Sequence, residues 1–288
     1  MKRLKKLSIL LLTIIILTGC SNSKNNMDDI NIYTTTYPIN FLINSLYEDH
    51  CKVYSIYPTG IDLNDYELSK RKLEEYSKSD LFIFNSLDKD RDYAVEMINL
   101  NADLKVIDVA TGMNYDYTIE EIWLNPNNYL MMAENIKNGL AEYIDNPYLI
   151  EEIEEKYKDL EYKISKLDAN LTETIISGNY DTIVVDNDLF KFLEKRGLNV
   201  ISLEENENLS NNRVDEVKKL IDDGEIKYIY STTKETNDTV NKLINDYNLE
   251  RIIINSMHSI DGSITNSNDT YLTIMTNNID ELKRELYK

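Results

Sequence analysis

The sequence predicts an α/β protein of two lobes, each with a mainly parallel sheet, joined by a long rigid backbone helix. Three observations carry this. From Ile30 onward, short β-rich runs alternate with longer amphipathic stretches, which is the pattern of βαβ units. The alternation occurs twice, over residues 30–125 and again over 176–288. Between them, residues 126–175 read as connecting helices, and from Ile150 to Leu171 apolar side chains recur at alternating intervals of three and four, the stripe of one long helix. The 288 residues, 42% hydrophobic and 28% charged, suffice for two ordinary domains with a sizeable core.

The N-terminus is of a different kind. Lys2, Arg3, Lys5 and Lys6 precede an apolar stretch from Leu7 to Leu17, which is too short to cross a bilayer and reads as a signal peptide over residues 1–19. Leu17-Thr18-Gly19-Cys20 resembles a lipobox, the recognition site of bacterial lipoprotein processing. That resemblance implies acylation of Cys20, which would hold the body at a membrane on its extracytoplasmic face. Residues 20–29 are polar apart from Met27 and read as a tether. Cleavage before Cys20 leaves 27 Lys and Arg against 51 Asp and Glu, a formal charge of −24. A partner bound through its phosphates, such as nucleic acid, is excluded by repulsion. With Cys20 acylated, Cys51 has no disulfide partner and is expected to be a small apolar residue of the second strand.

In the first lobe, strands are expected at Ile30–Thr36, Val53–Tyr57, Leu81–Phe84 and Leu104–Val109, with helices that include Tyr37–Tyr47 and Ser69–Ser79. Asn125-Pro126 opens a helix to Tyr143, with a capping residue followed by proline in the first turn. After Asp145-Asn146-Pro147 a second helix runs to about Ile175, with Ile150, Ile153, Tyr157, Leu160, Ile164, Leu167 and Leu171 on one side. Such a stripe suits a helix lying along both lobes of a monomer better than a dimeric coiled coil. The second lobe repeats the scheme, with strands at Thr182–Val185, Val200–Leu203, Tyr228–Ser231 and Ile252–Asn255. Its helices are expected at Leu189–Arg196, Arg213–Asp222, Asn237–Tyr247 and Asp269–Leu286.

Six short motifs follow one another along this plan. They are Thr35-Thr36-Tyr37-Pro38, Thr59-Gly60-Ile61-Asp62-Leu63-Asn64-Asp65-Tyr66-Glu67, and Lys78-Ser79-Asp80-Leu81. Further on come Glu120-Glu121-Ile122-Trp123-Leu124-Asn125-Pro126, Asn187-Asp188-Leu189-Phe190, and Asn268-Asp269-Thr270-Tyr271 with Met275-Thr276-Asn277-Asn278-Ile279. In order and spacing they resemble the metal-binding receptors of bacterial ABC importers, the zinc- and manganese-binding cluster whose lobes are joined by one rigid helix. The resemblance implies an anchored solute-binding protein that captures a divalent metal ion between its lobes. It would pass this transported ligand to an ABC permease and ATPase, as a monomer.

In that family the metal is held by two histidines of the first lobe, a histidine or glutamate of the second, and a terminal carboxylate. The resemblance carries these positions to Asn64, Glu121, Asn187 and Asp269, and Asp269 alone keeps the family residue. All four are oxygen donors, which favours Mn²⁺ or another hard cation over Zn²⁺. Asp62, Asp65, Asp186 and Asp188 flank them. His50 and His258, the chain's two histidines, are expected on the surface or in loops, and Glu120 is expected to be solvated.

Two alternatives stay open on the same fold. A cleft lined by Asn64, Tyr66, Trp123, Asn187 and Tyr271 could take a small organic solute. A chain that lost its metal could also act as a surface adhesin. Catalysis has little support, and no catalytic cofactor is expected. There is no credible Ser-His-Asp or Cys-His arrangement, and the 8 glycines form no phosphate-cradling loop.

Overall fold

The computed structural model describes residues 27–61, 63, 66–206, 209–234, 236–258 and 270–288. The expected signal peptide, Cys20 and the expected tether as far as residue 26 lie outside the described residues, and the last three residues of that tether, 27–29, are described. The body takes hold at Met27, whose side chain is buried and whose carbonyl accepts a hydrogen bond from the Tyr47 hydroxyl.

The first sheet holds β1 (Ile30–Thr34), β2 (Cys51–Ser55), β3 (Leu81–Phe84) and β4 (Lys105–Asp108) in the order β2-β1-β3-β4, all parallel. The second holds β5 (Thr182–Val185), β6 (Asn199–Ser202), β7 (Tyr228–Ser231) and β8 (Glu250–Ile253) in the equivalent order β6-β5-β7-β8, again parallel. Parallel sheets need both faces covered, and β3 shows how this chain meets that need. Successive side chains of a strand point to opposite faces. Leu81 and Ile83 enter the core shared with the connecting helices, while Phe82 and Phe84 stack at 5.5 Å in a second core with Leu73 and Met97.

The second strand starts and ends two residues earlier than its apolar run suggests. Cys51 and Lys52 pair with Ile30 and Asn31, and the ladder stops at Ser55 opposite Thr34, the last residue of β1. Ile56 and Tyr57 then leave the sheet and fill the second core. Cys51 is half-buried, with its thiol donating to the Tyr47 carbonyl at 3.2 Å, and burial pushes the thiol up to about 12. It is a packing residue rather than a nucleophile.

Around the sheets lie α1 (Tyr37–Tyr47), α2 (Lys70–Tyr76), α3 (Asp90–Leu100), the single turn α4 (Glu121–Leu124), α5 (Pro126–Tyr143), α6 (Pro147–Ile176), α7 (Asn211–Asp222), α8 (Asp238–Tyr247) and α9 (Tyr271–Leu286). Asn125 caps α5 by accepting from Asn127 N, and Asn146 caps α6 by accepting from Tyr148 N. Each is followed by a proline in the first turn, where a missing N–H costs nothing. The thirty residues of α6 span about 45 Å. Ile153, Leu160, Ile164, Leu167 and Leu171 are buried along it, and Ile150 and Tyr157 pack half-buried beside them. The stripe is covered from within by α1, α5 and α9, so one core runs from the first lobe into the second.

The segment expected as a helix at Leu189–Arg196 is wound as a 3-10 helix, Asp188–Arg196, and ends at Gly197 with φ +94°. Arg196 reaches back to α6, with guanidinium nitrogens 2.5 Å from Asp168 Oδ1 and 2.8 Å from Thr172 Oγ1. Among the described residues, no helix is long and apolar enough to cross a membrane.

Candidate functional site in the cleft between the lobes

Parallel strands end together, and the loops that leave their carboxyl ends are the usual place for a ligand. The two sheets turn such loops toward one another around a cavity of about 430 Å³. The loop after β2 contributes Gly60 and Ile61, and the segment before α4 contributes Thr118 and Glu120. Asn187 follows β5, Thr232 follows β7, and Ser256 and His258 follow β8. Among these lining residues the ionisable ones are Glu120 and His258.

These two face each other, with His258 Nδ1 2.9 Å from Glu120 Oε1 and side chains 20% and 15% exposed. Burial pushes the Glu120 carboxyl up, but His258, a backbone N–H and the Thr118 hydroxyl together outweigh it and hold the carboxyl below the usual glutamate value. Both residues are fixed from beneath by Trp123. Its backbone N–H donates to Glu120 O at 3.1 Å, and its indole N–H donates to Ser256 O at 2.8 Å. The turn that presents His258 is fastened a second time. Asn255 exchanges two hydrogen bonds with Asn278 of α9, and its own side chain accepts from Met257 N at 2.9 Å. Met257 is buried with φ +55°, a left-handed backbone that non-glycine residues avoid unless their surroundings hold them there.

Of the four expected ligands, Asn64 and Asp269 lie outside the described residues, as do Asp62 and Asp65. Asn187 lines the cavity, but its side-chain oxygen accepts from Leu189 N at 2.9 Å and caps the 3-10 helix. Glu121 is 4% exposed, and its carboxylate is turned to the loop before it. Oε2 accepts from Asp116 N at 3.0 Å and Oε1 stands 4.0 Å from Lys195 Nζ. Glu120, expected to be solvated, is instead the member of the pair that faces the cleft. Asp186 is pushed up to about 6 by burial. The amide N–H of Asp188 is held by Glu204 Oε2 at 3.1 Å.

The aromatics proposed for an organic solute are placed elsewhere. Trp123 and Tyr271 are 2% and 0% exposed and belong to the core between the lobes, and Tyr66 packs edge-on against Tyr57. His50 is also no bare surface residue, since it bridges Asp28 and Glu152 at 2.8 and 3.2 Å. Among the described residues, no group of three or more His, Cys, Asp and Glu is placed to hold a metal ion.

Two parallel-sheet lobes, one helix along both and a polar cavity between their strand ends define a two-lobed protein of the solute-binding type. Residues 32–285 match the model of the family described as zinc-uptake complex component A, periplasmic (ZnuA), and the chain belongs to that family. It is 22% identical to the zinc-binding lipoprotein AdcA of Streptococcus pneumoniae, over 98% of this chain and 61% of AdcA. It therefore spans about three fifths of that relative's length. It is 20% identical to the high-affinity zinc uptake system protein ZnuA of Bacillus subtilis, over 93% of this chain and 90% of the relative. A metal ABC transporter substrate-binding lipoprotein of Lactococcus lactis is 25% identical over 65% of this chain and 66% of its own length. Among solved structures, the Zn(II)-bound ZnuA-like domain of S. pneumoniae AdcA superimposes with a TM-score of 0.72 at 19% identity, over 90% of this chain and all of that domain. The metal-dependent lipoprotein YcdH of B. subtilis superimposes with 0.75 at 18%, over 90% of this chain and all of its own. At these identities the superpositions establish the fold.

The sequence held one signal for His258 that a motif reading passes over. It stands five residues past the end of a parallel strand, where ligand-binding loops sit whatever their sequence. Glu120 is harder to find, because two adjacent glutamates precede Trp123 and their facing depends on how the single turn of α4 begins.

Proposed function

We propose that the protein is an extracytoplasmic receptor that captures a divalent metal ion in the cleft between its lobes and delivers it to an ABC permease and ATPase. The observation that carries this reading is the cavity itself, walled by polar residues of both lobes at the carboxyl ends of their strands, in a chain of the zinc-uptake family. The named relatives are zinc- or metal-binding proteins, several of them lipoproteins. An anchor at Cys20 would keep this chain at the membrane surface as a monomer. The acidic body, −24 after cleavage, raises the local concentration of cations without selecting among them.

The role is carriage, not catalysis. The aligned set Asn64, Glu121, Asn187 and Asp269 favoured a hard cation because it offers no imidazole or other ligating nitrogen. With an imidazole in the cavity that preference lapses, and carboxylate with imidazole suits Zn²⁺ as well as Mn²⁺. A thermal-unfolding panel of the metal-free mature protein with Zn²⁺, Mn²⁺, Fe²⁺, Ca²⁺ and Mg²⁺ tests the reading. A bound cation adds RT ln(1 + [L]/Kd) to stability, so at least one transition-metal ion is expected to raise the Tm in a dose-dependent way. A Tm untouched by all five, with a response to an organic solute instead, would overturn it.

A further inference from the structure

We infer that Glu120 and His258 supply two of the protein ligands to the cation in the cleft, one from each side of the cavity. This rests on the reading that the cargo is a divalent metal, and it moves the ligand role away from the positions that the family pattern marks in this chain. Four observations point the same way.

The first is placement. Glu120 precedes the turn that opens the connecting helices, and His258 belongs to the loop after the last strand of the second lobe. A cation held by both would bridge the two halves of the cleft. The second is chemistry. A carboxylate and an imidazole are the oxygen and nitrogen donors that zinc and its neighbours accept. The third is spacing. Two donors each about 2.1 Å from a tetrahedral zinc stand about 3.4 Å apart, and the two side-chain atoms are 2.9 Å apart without metal. The side chains need to part by only about half an ångström to stand at that spacing.

The fourth observation is the support behind the pair. Trp123 bonds to the carbonyl of Glu120 and to that of Ser256. The loop of His258 is bound to α9 through Asn255 and Asn278, and Met257 is held in a left-handed backbone beside it. A loop tail with no task has no need of strain and double fastening. By contrast, Glu121 spends its carboxylate on Asp116 N and Lys195, and Asn187 spends its oxygen on a helix cap.

The test uses the mature protein and three variants, His258→Gln, Glu120→Gln and, as a histidine control far from the cleft, His50→Gln. Far-UV circular dichroism and the metal-free Tm establish that each is folded. Zn²⁺ affinity is measured by competition with a chromogenic chelator, and Co²⁺ substitution reports nitrogen ligation through its visible d–d bands. The expected result is a loss of at least about tenfold in Zn²⁺ affinity for both cleft variants. His258→Gln should also alter the Co²⁺ spectrum, and His50→Gln should change neither readout. Wild-type affinity and an unaltered Co²⁺ spectrum in folded His258→Gln would overturn the inference while leaving the metal reading intact. Should either cleft variant not fold, Trp123→Phe, which removes the indole bond to Ser256 and leaves the His258 loop tied through Asn255 and Asn278 alone, is read in its place and is expected to weaken Zn²⁺ binding. A wild-type protein that binds neither Zn²⁺ nor Co²⁺ would overturn both the inference and the proposed function.

Discussion

The Tyr271 hydroxyl donates to the backbone carbonyl of Trp123 at 2.7 Å, and the Tyr271 ring stacks on Tyr129 with centroids 3.7 Å apart. Tyr129 in turn donates to Pro38 O at 2.7 Å. Tyr271, Trp123, Tyr129 and Pro38 therefore join α9, α4, α5 and the start of α1 through a buried line beneath the cleft. The same Trp123 holds the Ser256 carbonyl. The geometry of the cleft cavity is thus set by the core between the lobes rather than by the loops alone.

Tyr271→Phe keeps the ring and its stacking but leaves the Trp123 carbonyl without this donor. An unmade buried hydrogen bond costs about 1–3 kcal/mol. Urea unfolding at neutral pH is expected to show that loss with an unchanged slope. A loss under a few tenths of a kcal/mol would mean that the line contributes packing only.

Gly139 lies where α5 crosses β4, and a Cβ there would come within 2.8 Å of Ile107 Cγ1 and 2.9 Å of its Cγ2. Overfilling such a contact costs about 1–3 kcal/mol. Gly139→Val should therefore unfold at lower urea than wild type, despite the better helix propensity of valine over glycine.

Asp90 is 1% exposed and accepts from the Tyr57 hydroxyl at 2.5 Å, and burial raises its pKa to about 6. A folded pKa above the unfolded value stabilises the protein fully below about pH 4 and ceases to do so as pH rises through about 6. At pH 8 the protein therefore carries a buried charge that unfolding would return to water. Asp90→Asn keeps the acceptor for Tyr57, so it is expected to raise stability at pH 8 by up to about 3 kcal/mol. The gain should vanish near pH 4, and equal effects at both pH values would contradict the assignment.

His50 pins the start of the body to α6 through Asp28 and Glu152, and Glu152 also holds Lys156 at 2.7 Å. Partial burial pushes the imidazole pKa down, but the two carboxylates outweigh it and hold it above the ordinary value. The contribution is fully present below about pH 6.5 and is lost as pH rises through the folded pKa. His50→Gln should lower stability at pH 6 by less than about 1 kcal/mol, given its exposure, and make no difference at pH 9. Amide exchange at Ile30–Thr34 provides the local readout.

The architecture was legible because it rests on periodicity. The stripe from Ile150 to Leu171 announced a helix shared by both lobes, and runs such as Leu81–Phe84 announced buried parallel strands. Strand ends were less legible, since Ile56 and Tyr57 are as apolar as ladder residues and only the length of β1 excludes them. The site was read least well. A one-residue choice between Glu120 and Glu121 decides which carboxylate enters the cleft, and side-chain facing at a single helical turn has no sequence period to reveal it. His258 is placed by long-range bonds from Trp123 and Asn278, 135 residues before it and 20 after it in the chain. Sequence neighbours carry no trace of such bonds.

The most direct test is diffraction from crystals of the mature protein grown with Zn²⁺, with data collected above and below the zinc absorption edge. The account predicts one strong anomalous peak in the cleft, within about 2.0–2.2 Å of a Glu120 carboxylate oxygen and a His258 ring nitrogen. An empty cleft, with zinc found only at surface groups such as His50, would contradict it.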